Sequence, residues 1–235
     1  MRNESAKRIW WLHERARGAL REALLGLPRF IATPRVAKHR FFVFLGATVL
    51  PDTRLNVIAR ADDLGLGILS SRMHEAWSLA NASIHGDGEE GGRPTFNAKS
   101  CFETFPFPGY PDLQSDIKPH IAHIAHIAQP LNDLRENWLN PTEWTERIPE
   151  VIPLGMSASP YPDRIVAKPG FEKELAERTL TKLYNQRPAG LDAAHKTLDT
   201  AVAAAYGWAD YTADMPDEEI LKRLLALNLE RARTQ

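Results

Sequence analysis

Three regularly spaced histidines are the first feature of this sequence that suggests chemistry. His120, His123 and His126 stand in the repeat HIAHIAHIA, and imidazole is a common ligand of zinc. On a helix this spacing spreads the rings over about 120° of the surface, and the tract offers no cysteine or carboxylate as a fourth ligand. We therefore interpret the histidines as a solvated face opposite an isoleucine stripe, and we predict no metal site.

Two further features resemble parts of catalytic sites but are incomplete. Cys101 is the only cysteine, and no local base accompanies it, so we expect a packed thiol and not the nucleophile of a small hydrolase. Gly65 and Gly67 lack the third glycine and the lysine of nucleotide-binding loops, and we interpret them as allowing a helix to start close to a sheet. Because serine-hydrolase, zinc-protease and nuclease signatures are also missing, we expect no catalytic residues and no bound cofactor.

A basic run around Pro34 is the remaining candidate. Arg35, Lys38, His39 and Arg40 supply four cationic or potentially cationic side chains within six residues. Phosphate binding favours charge on a stiff backbone, because little conformational entropy is then lost on contact. The spacing alone leaves open a solvated turn with no ligand.

The charge distribution supports a polyanion contact on one side of the molecule. Residues 1–60 contain 12 Lys and Arg against 4 Asp and Glu, a balance of +8, whereas residues 61–235 carry −9. Such asymmetry is typical of proteins that meet nucleic acid with one surface, although two ordinary surfaces of opposite sign give the same count.

The hydrophobic patterns along the chain predict an α+β protein of two parts. Residues 1–108 are expected to be mixed, and residues 109–235 all-helical, with strands confined to the part before about residue 108. The GDGEEGG stretch at residues 86–92 predicts a mobile loop, and residues 149–169 a proline-rich linker. Expected strands are residues 29–33, 40–45 and 54–60; expected helices are residues 5–27, 62–79, about 113–139, 171–184, 191–206 and 216–231. Asp62 and Asp63 are the expected N-caps of the second helix.

Several segments resemble, in order, the C-terminal part of the MmeI-like DNA methyltransferases, adenine-specific enzymes of type II restriction-modification systems. LPRFIATPRVAKHR, VLPD, GILSSRMHEAW and the stretch from TF to CFETFPFP are similar to their target-recognition domain. RENWLNP, LTKLYNQRP, LDAAH, AVAAAYGW, DEEI and NLER are similar to the helical region that follows it. The resemblance covers nearly the whole chain.

The resemblance implies that residues 1–108 are part of a DNA target-recognition domain and residues 109–235 a helical C-terminal domain. The parent enzyme would methylate adenine N6 with S-adenosylmethionine. The glycine motif for that cofactor and the Asn/Asp-Pro-Pro-Tyr/Phe catalytic loop occur nowhere in this sequence. We therefore expect a non-catalytic C-terminal fragment that does not itself bind S-adenosylmethionine.

The expected partner is double-stranded DNA, with the methyltransferase catalytic domain or subunit as a second partner. Arg35, Lys38, His39 and Arg40 are the candidates for backbone contacts, and Arg72 and His74 are weaker ones on a helix that would face DNA. The alternative is an interaction fragment that docks the methyltransferase and does not touch DNA. The charged N-terminus and the lack of a long apolar run favour a cytoplasmic protein with no membrane contact.

Overall fold

The computed structural model describes residues 17–86, 92–109 and 118–234. The first element is α1 (Gly18–Leu24). It falls within the helix expected over residues 5–27, of which residues 5–16 lie outside these ranges. Gly26, with φ of +80°, turns the chain from this helix toward the first strand, a backbone conformation that glycine adopts without strain.

A three-stranded antiparallel sheet follows. It has the order β2–β1–β3, with β1 (Arg29–Pro34) in the centre between β2 (Val43–Gly46) and β3 (Leu55–Ile58). In β1 the four residues 30–33 are buried, and Ile31 pairs with Phe44 on one side and Ile58 on the other. The predicted strands are therefore confirmed, and the basic run forms the connection that leaves β1.

The helix expected after Asp62 is two helices, α2 (Asp63–Ser70) and α3 (Arg72–Ala80), separated by Ser71 in extended conformation. Asp62 caps the first helix as predicted, since its Oδ1 accepts from the Gly65 N–H at 2.7 Å. The break lets α3 start in a new direction, toward the helical part of the chain.

Gly67 explains how closely α2 packs against the long helix α4 (Lys118–Leu139). A Cβ at Gly67 would lie 2.8 Å from Cγ2 of Ile124 and 3.1 Å from Cβ of Ala128. The interpretation that these glycines serve packing is sound, but the close neighbour of Gly67 is a helix and not a sheet.

A small hairpin, β4 (Ser83–His85) and β5 (Arg93–Thr95), flanks residues 87–91, so the predicted mobile loop lies mostly outside the described residues. Residues 96–108, rich in aromatic residues and proline, then form a single π-helical turn, Ala98–Phe102, and the chain after this turn is irregular. Cys101 is buried in that turn, which agrees with a packed thiol.

The second part of the chain is mostly helical. After α4 come α5 (Glu172–Ala176), α6 (Leu180–Gln186), α7 (Ala189–Ala205) and α8 (Asp217–Thr234). None of the helices within the described ranges has the length and hydrophobicity that a membrane crossing requires.

The prediction that strands end before about residue 108 is wrong. Antiparallel strands β6 (Thr145–Ile148) and β7 (Arg164–Ala167) form a hairpin inside the part expected to be all-helical, and β7 lies in the predicted proline-rich linker. Both strands carry β-branched residues, and the prolines lie outside them, where no ladder hydrogen bond is lost. The α+β class itself is confirmed.

One hydrophobic cluster crosses residue 108. It joins Phe41, Met73 and Trp77 of the first part to Ile124 and Leu198 of the second, and α2 and α3 pack on the helices α4, α7 and α8. The division into a recognition domain and a helical domain remains an interpretation of the sequence, because apolar packing is continuous across it.

Candidate nucleic-acid interface

The backbone of the basic run is fixed on two sides. The Arg35 N–H donates to the carbonyl oxygen of Arg54 at 2.7 Å, and the Arg35 carbonyl accepts from the Phe96 N–H at 2.7 Å. Val36 forms a bridge with Thr95 in the same place. The segment is thereby held between the start of β3 and the end of β5, which gives it the stiff backbone that the sequence suggested.

Arg40 stabilises this segment from inside. Its guanidinium donates to Oγ1 of Thr33 at 3.0 Å and to the carbonyls of Pro34 at 2.5 Å and Pro94 at 3.3 Å, and it lies over the ring of Phe96. Burial lowers the pKa of Arg40 to about 10, so the group stays protonated at neutral pH. The predicted backbone contact at Arg40 has no route to a ligand in this arrangement, because the protein itself accepts its hydrogen bonds.

This fixed segment and the two segments paired with it carry four exposed cations. Arg35 and Lys38 belong to the predicted run, and Arg54 and Arg93 come from the chain before β3 and from β5. Within the described residues these four side chains form no ion pair and no hydrogen bond, in contrast to Arg40. We call Arg35, Lys38, Arg54 and Arg93 the basic strip.

Arg35 and Arg54 face each other across two paired segments. The β1–β3 register ends at Pro34 opposite Leu55, so one further step sets Arg35 opposite Arg54. Directly opposite residues of an antiparallel pair point to the same face, and like charges there repel. Two unpaired arginines in this position favour an external anion over an internal ion pair.

His39 contacts the helical part of the chain. Its Nε2–H donates to Oδ1 of Asn185 at 2.8 Å, and its ring lies 5.9 Å from the ring of Tyr184, measured between centroids. The side chain is half-buried, at the edge of the basic strip. His39 is therefore near the other candidates but has a protein partner.

Arg72 ties the two parts of the chain together. Its guanidinium donates to Oδ1 of Asp217 at 2.8 Å and to the carbonyls of Ala213 at 2.8 Å and Met215 at 2.6 Å. Its backbone N–H donates to Oδ1 of Asp199 at 2.7 Å. The structure thus places Arg72 in an internal junction and not beside Arg35 and Lys38.

His74 is fully buried among aromatic rings. Its Nδ1–H donates to the carbonyl of Leu69 at 3.0 Å, and its ring packs against Phe42, Phe96 and Phe105. Burial lowers its pKa to about 3, so the imidazole is neutral. Base contact by His74, as the sequence suggested, would require this aromatic cluster to open.

The other chemical features of the sequence do not assemble into a site. His123 and His126 are exposed while Ile124 is buried, the arrangement expected of a solvated face. In the ranges that the structure describes, no three His, Cys, Asp or Glu side chains are grouped to hold a metal ion.

A largely apolar cavity of about 700 Å³ lies between α2, the π-helical turn and α8.

Sequence reasoning found half of the basic strip. Arg54 belongs to the positive residues 1–60, but Arg93 follows the acidic GDGEEGG stretch and carries no local signal. The bridge between Val36 and Thr95 and the neighbouring backbone hydrogen bonds bring it to the run. Strand pairing, which single-sequence patterns do not reveal, therefore completes the cluster.

Comparison with known proteins gives a likeness in fold. No protein-family model matches the chain, and no curated protein does. Among solved structures it is similar to the Type IIL restriction-modification enzyme MmeI, solved in complex with DNA, with a TM-score of 0.58 and 18% sequence identity. The two share a fold. The likeness covers 89% of this chain but 22% of MmeI, so this chain corresponds to a minor part of that enzyme.

Proposed function

We propose that this chain holds double-stranded DNA through the basic strip and serves target recognition for an adenine-specific (N6) DNA methyltransferase of a restriction-modification system. The observation that carries the proposal is that three segments joined by backbone pairing carry Arg35, Lys38, Arg54 and Arg93, exposed and without acidic partners among the described residues. Backbone hydrogen bonds fix the positions from which these side chains extend. Binding then costs mainly side-chain entropy.

Phosphates are the chemically suitable partners of the strip. Lysine and arginine on a stiff backbone neutralise phosphates and position a duplex without reading its sequence. His39 lies at the edge of this surface. In this proposal Arg40, Arg72 and His74 act inside the protein, because each is engaged by protein groups or buried.

The link to methylation rests on the likeness to MmeI together with the ordered segments that resemble its family. An enzyme that modifies adenine takes the base out of the stack, which requires the duplex to be held in register meanwhile. The catalytic loop and S-adenosylmethionine would come from a methyltransferase domain or subunit outside this sequence. The proposed location is the cytoplasm, where such an enzyme meets DNA.

A docking role without DNA contact is the second candidate, favoured by the tip of the β6–β7 hairpin. Val151, Ile152, Leu154 and Met156 are exposed there, with Leu154 wholly accessible. Contiguous exposed apolar side chains often mark protein contacts. This surface is compatible with a methyltransferase partner and with DNA binding elsewhere on the molecule.

The test is the affinity for a random-sequence duplex as a function of salt, for the whole chain and for R35A/K38A. Each lost phosphate contact should reduce the slope of log K against log salt by about 0.9, so the double variant should be flatter by up to about 1.8 and weaker on every duplex. R147A/K173A removes two exposed cations from β6 and α5 and is the charge-matched control.

The control should retain the wild-type slope. Equal slopes for wild type and R35A/K38A would contradict the proposal, as would an equal flattening in the control, which would indicate a diffuse effect of net charge. Absence of duplex binding by the wild type, with capture of the methyltransferase part, would favour the docking role.

A further inference from the structure

The C-terminal end of α6 adjoins the basic strip, although it belongs to the helical part of the chain. The hydrogen bond from Nε2–H of His39 to Oδ1 of Asn185 joins residues 146 positions apart. Asn185 and Gln186 are exposed, and so is Lys38, the neighbour of His39 in sequence. Two amide side chains are thus presented beside cations that suit phosphate.

The position of this helix end is rigidly set. Tyr184, the residue before Asn185, is buried, and its hydroxyl accepts from Nε of Arg135 at 2.9 Å and lies 2.9 Å from Nε2 of His195. Leu183 is buried in the main core. The backbone that carries Asn185 is therefore fixed against α4 and α7, as a group that reads a ligand requires.

The orientation of the Asn185 amide is also set. Because Oδ1 accepts from His39, the two N–H donors on Nδ2 remain, and no protein group within the described residues accepts from them. Side-chain amides are the groups that pair with the edge of adenine in the major groove, and an N–H donor also suits the N7 acceptor of either purine. Phosphate is a poorer partner here, because helix C-termini carry partial negative charge.

We infer that Asn185, with Gln186 beside it, contacts base edges and contributes sequence preference, while the basic strip holds the phosphates. This inference rests on the proposed function and extends it to the helical part of the chain, for which the sequence analysis predicted no DNA-binding residue. His39 then acts as a positioning residue, because it orients the amide through one hydrogen bond.

The experiment begins with selection of preferred duplexes from a randomised library by the whole wild-type chain. Affinities for a selected duplex and for its scrambled version are then measured against salt for wild type, N185A and N137A. Asn137 is an exposed amide two residues after Arg135 on α4, so it points away from Tyr184 and is the matched control. Thermal unfolding checks that each variant is folded.

The inference predicts that N185A loses about tenfold or more of the preference for the selected duplex and keeps the wild-type salt slope. N137A should keep both properties. H39A should lose part of the preference, since the amide is no longer oriented.

Three results would overturn it. The first is an N185A variant with the preference of the wild type. The second is an N185A variant that binds both duplexes equally more weakly with a flatter slope, which would make Asn185 a phosphate contact. The third is a selection that yields no preferred sequence. A wild type without salt-dependent duplex binding would instead refute the proposed function, on which the inference rests. The two failures are therefore distinguishable.

Discussion

The basic strip and the junction between the two parts of the chain use the same residue type in opposite ways. In the junction, Arg135 is buried and donates to the Phe42 carbonyl and the Tyr184 hydroxyl, and Arg72 donates to two carbonyls and Asp217. In the strip, Arg35 and Lys38 are exposed and have no protein acceptor among the described residues. Cations whose hydrogen bonds are satisfied internally stabilise the fold, whereas the others remain for an external anion.

The largest expected effect concerns Arg135. Replacing it with Met keeps much of its volume but leaves the buried Phe42 carbonyl without its donor and the Tyr184 hydroxyl with His195 as its remaining partner. A buried polar group left without a partner costs about 1–3 kcal/mol, so we expect R135M to lower the free energy of unfolding by about 2 kcal/mol. Urea denaturation measures this, with R147M on the exposed face of β6 as control. A loss below about 1 kcal/mol would show that the junction does not depend on Arg135.

A smaller effect is expected at Asp199, which caps α3 from another helix. Its Oδ1 accepts from the Arg72 N–H, whereas the hydroxyl of Ser71, the residue before α3, donates to the Ile68 carbonyl instead. Loss of a cap typically costs about 1 kcal/mol, so D199A should be destabilised by about that amount. D199N keeps an oxygen acceptor and should remain closer to wild type.

The same residue gives the junction a pH dependence. Burial raises the pKa of Asp199 to about 7, so the folded state holds this proton more tightly than the unfolded state does. The stabilisation is complete below the ordinary pKa of 3.8 and is lost as pH rises through about 7. Relative to D199N, the wild type should therefore lose stability between about pH 4 and pH 7 and change little above. Parallel unfolding curves for the two proteins across this range would contradict the assignment.

The comparison also shows what the sequence could predict. Local patterns identified the three strands, the Asp62 cap and the basic run, because hydrophobic periodicity and capping are local properties. They did not separate Arg40, which is buried, from Lys38, which is exposed two residues away. That difference depends on the Pro94 carbonyl and the Phe96 ring, which strand pairing brings to Arg40 from more than 50 residues along the chain.

The β6–β7 hairpin and Arg93 were missed for related reasons. The hairpin strands are four residues each and stand next to prolines, so composition suggested a linker. Arg93 follows an acidic stretch, and its place in the strip depends on the contact of β5 with the basic run. Both features are long-range, and a hydrophobic pattern read in a short window does not contain them.

The smallest effect on stability is expected in the strip. Surface substitutions away from caps, cores and buried networks usually change stability by less than about 0.5 kcal/mol. Because Arg54 and Arg93 have exposed side chains, R54A/R93A should unfold within that margin of wild type. Because Arg54 lies opposite Arg35, where like charges repel, its removal should even stabilise the fold slightly. A loss above about 1 kcal/mol would place these side chains with the structural cations of the junction.

The decisive measurement is the salt dependence of duplex binding by R54A/R93A, because these two residues join the strip through the fold and not through the basic run. If the strip is one DNA-binding surface, the slope of log K against log salt should be flatter than that of the wild type by up to about 1.8, matching R35A/K38A. A slope equal to that of the wild type, with R35A/K38A flattened, would restrict binding to the local basic run. It would contradict the claim that the fold assembles one DNA-binding surface from three segments.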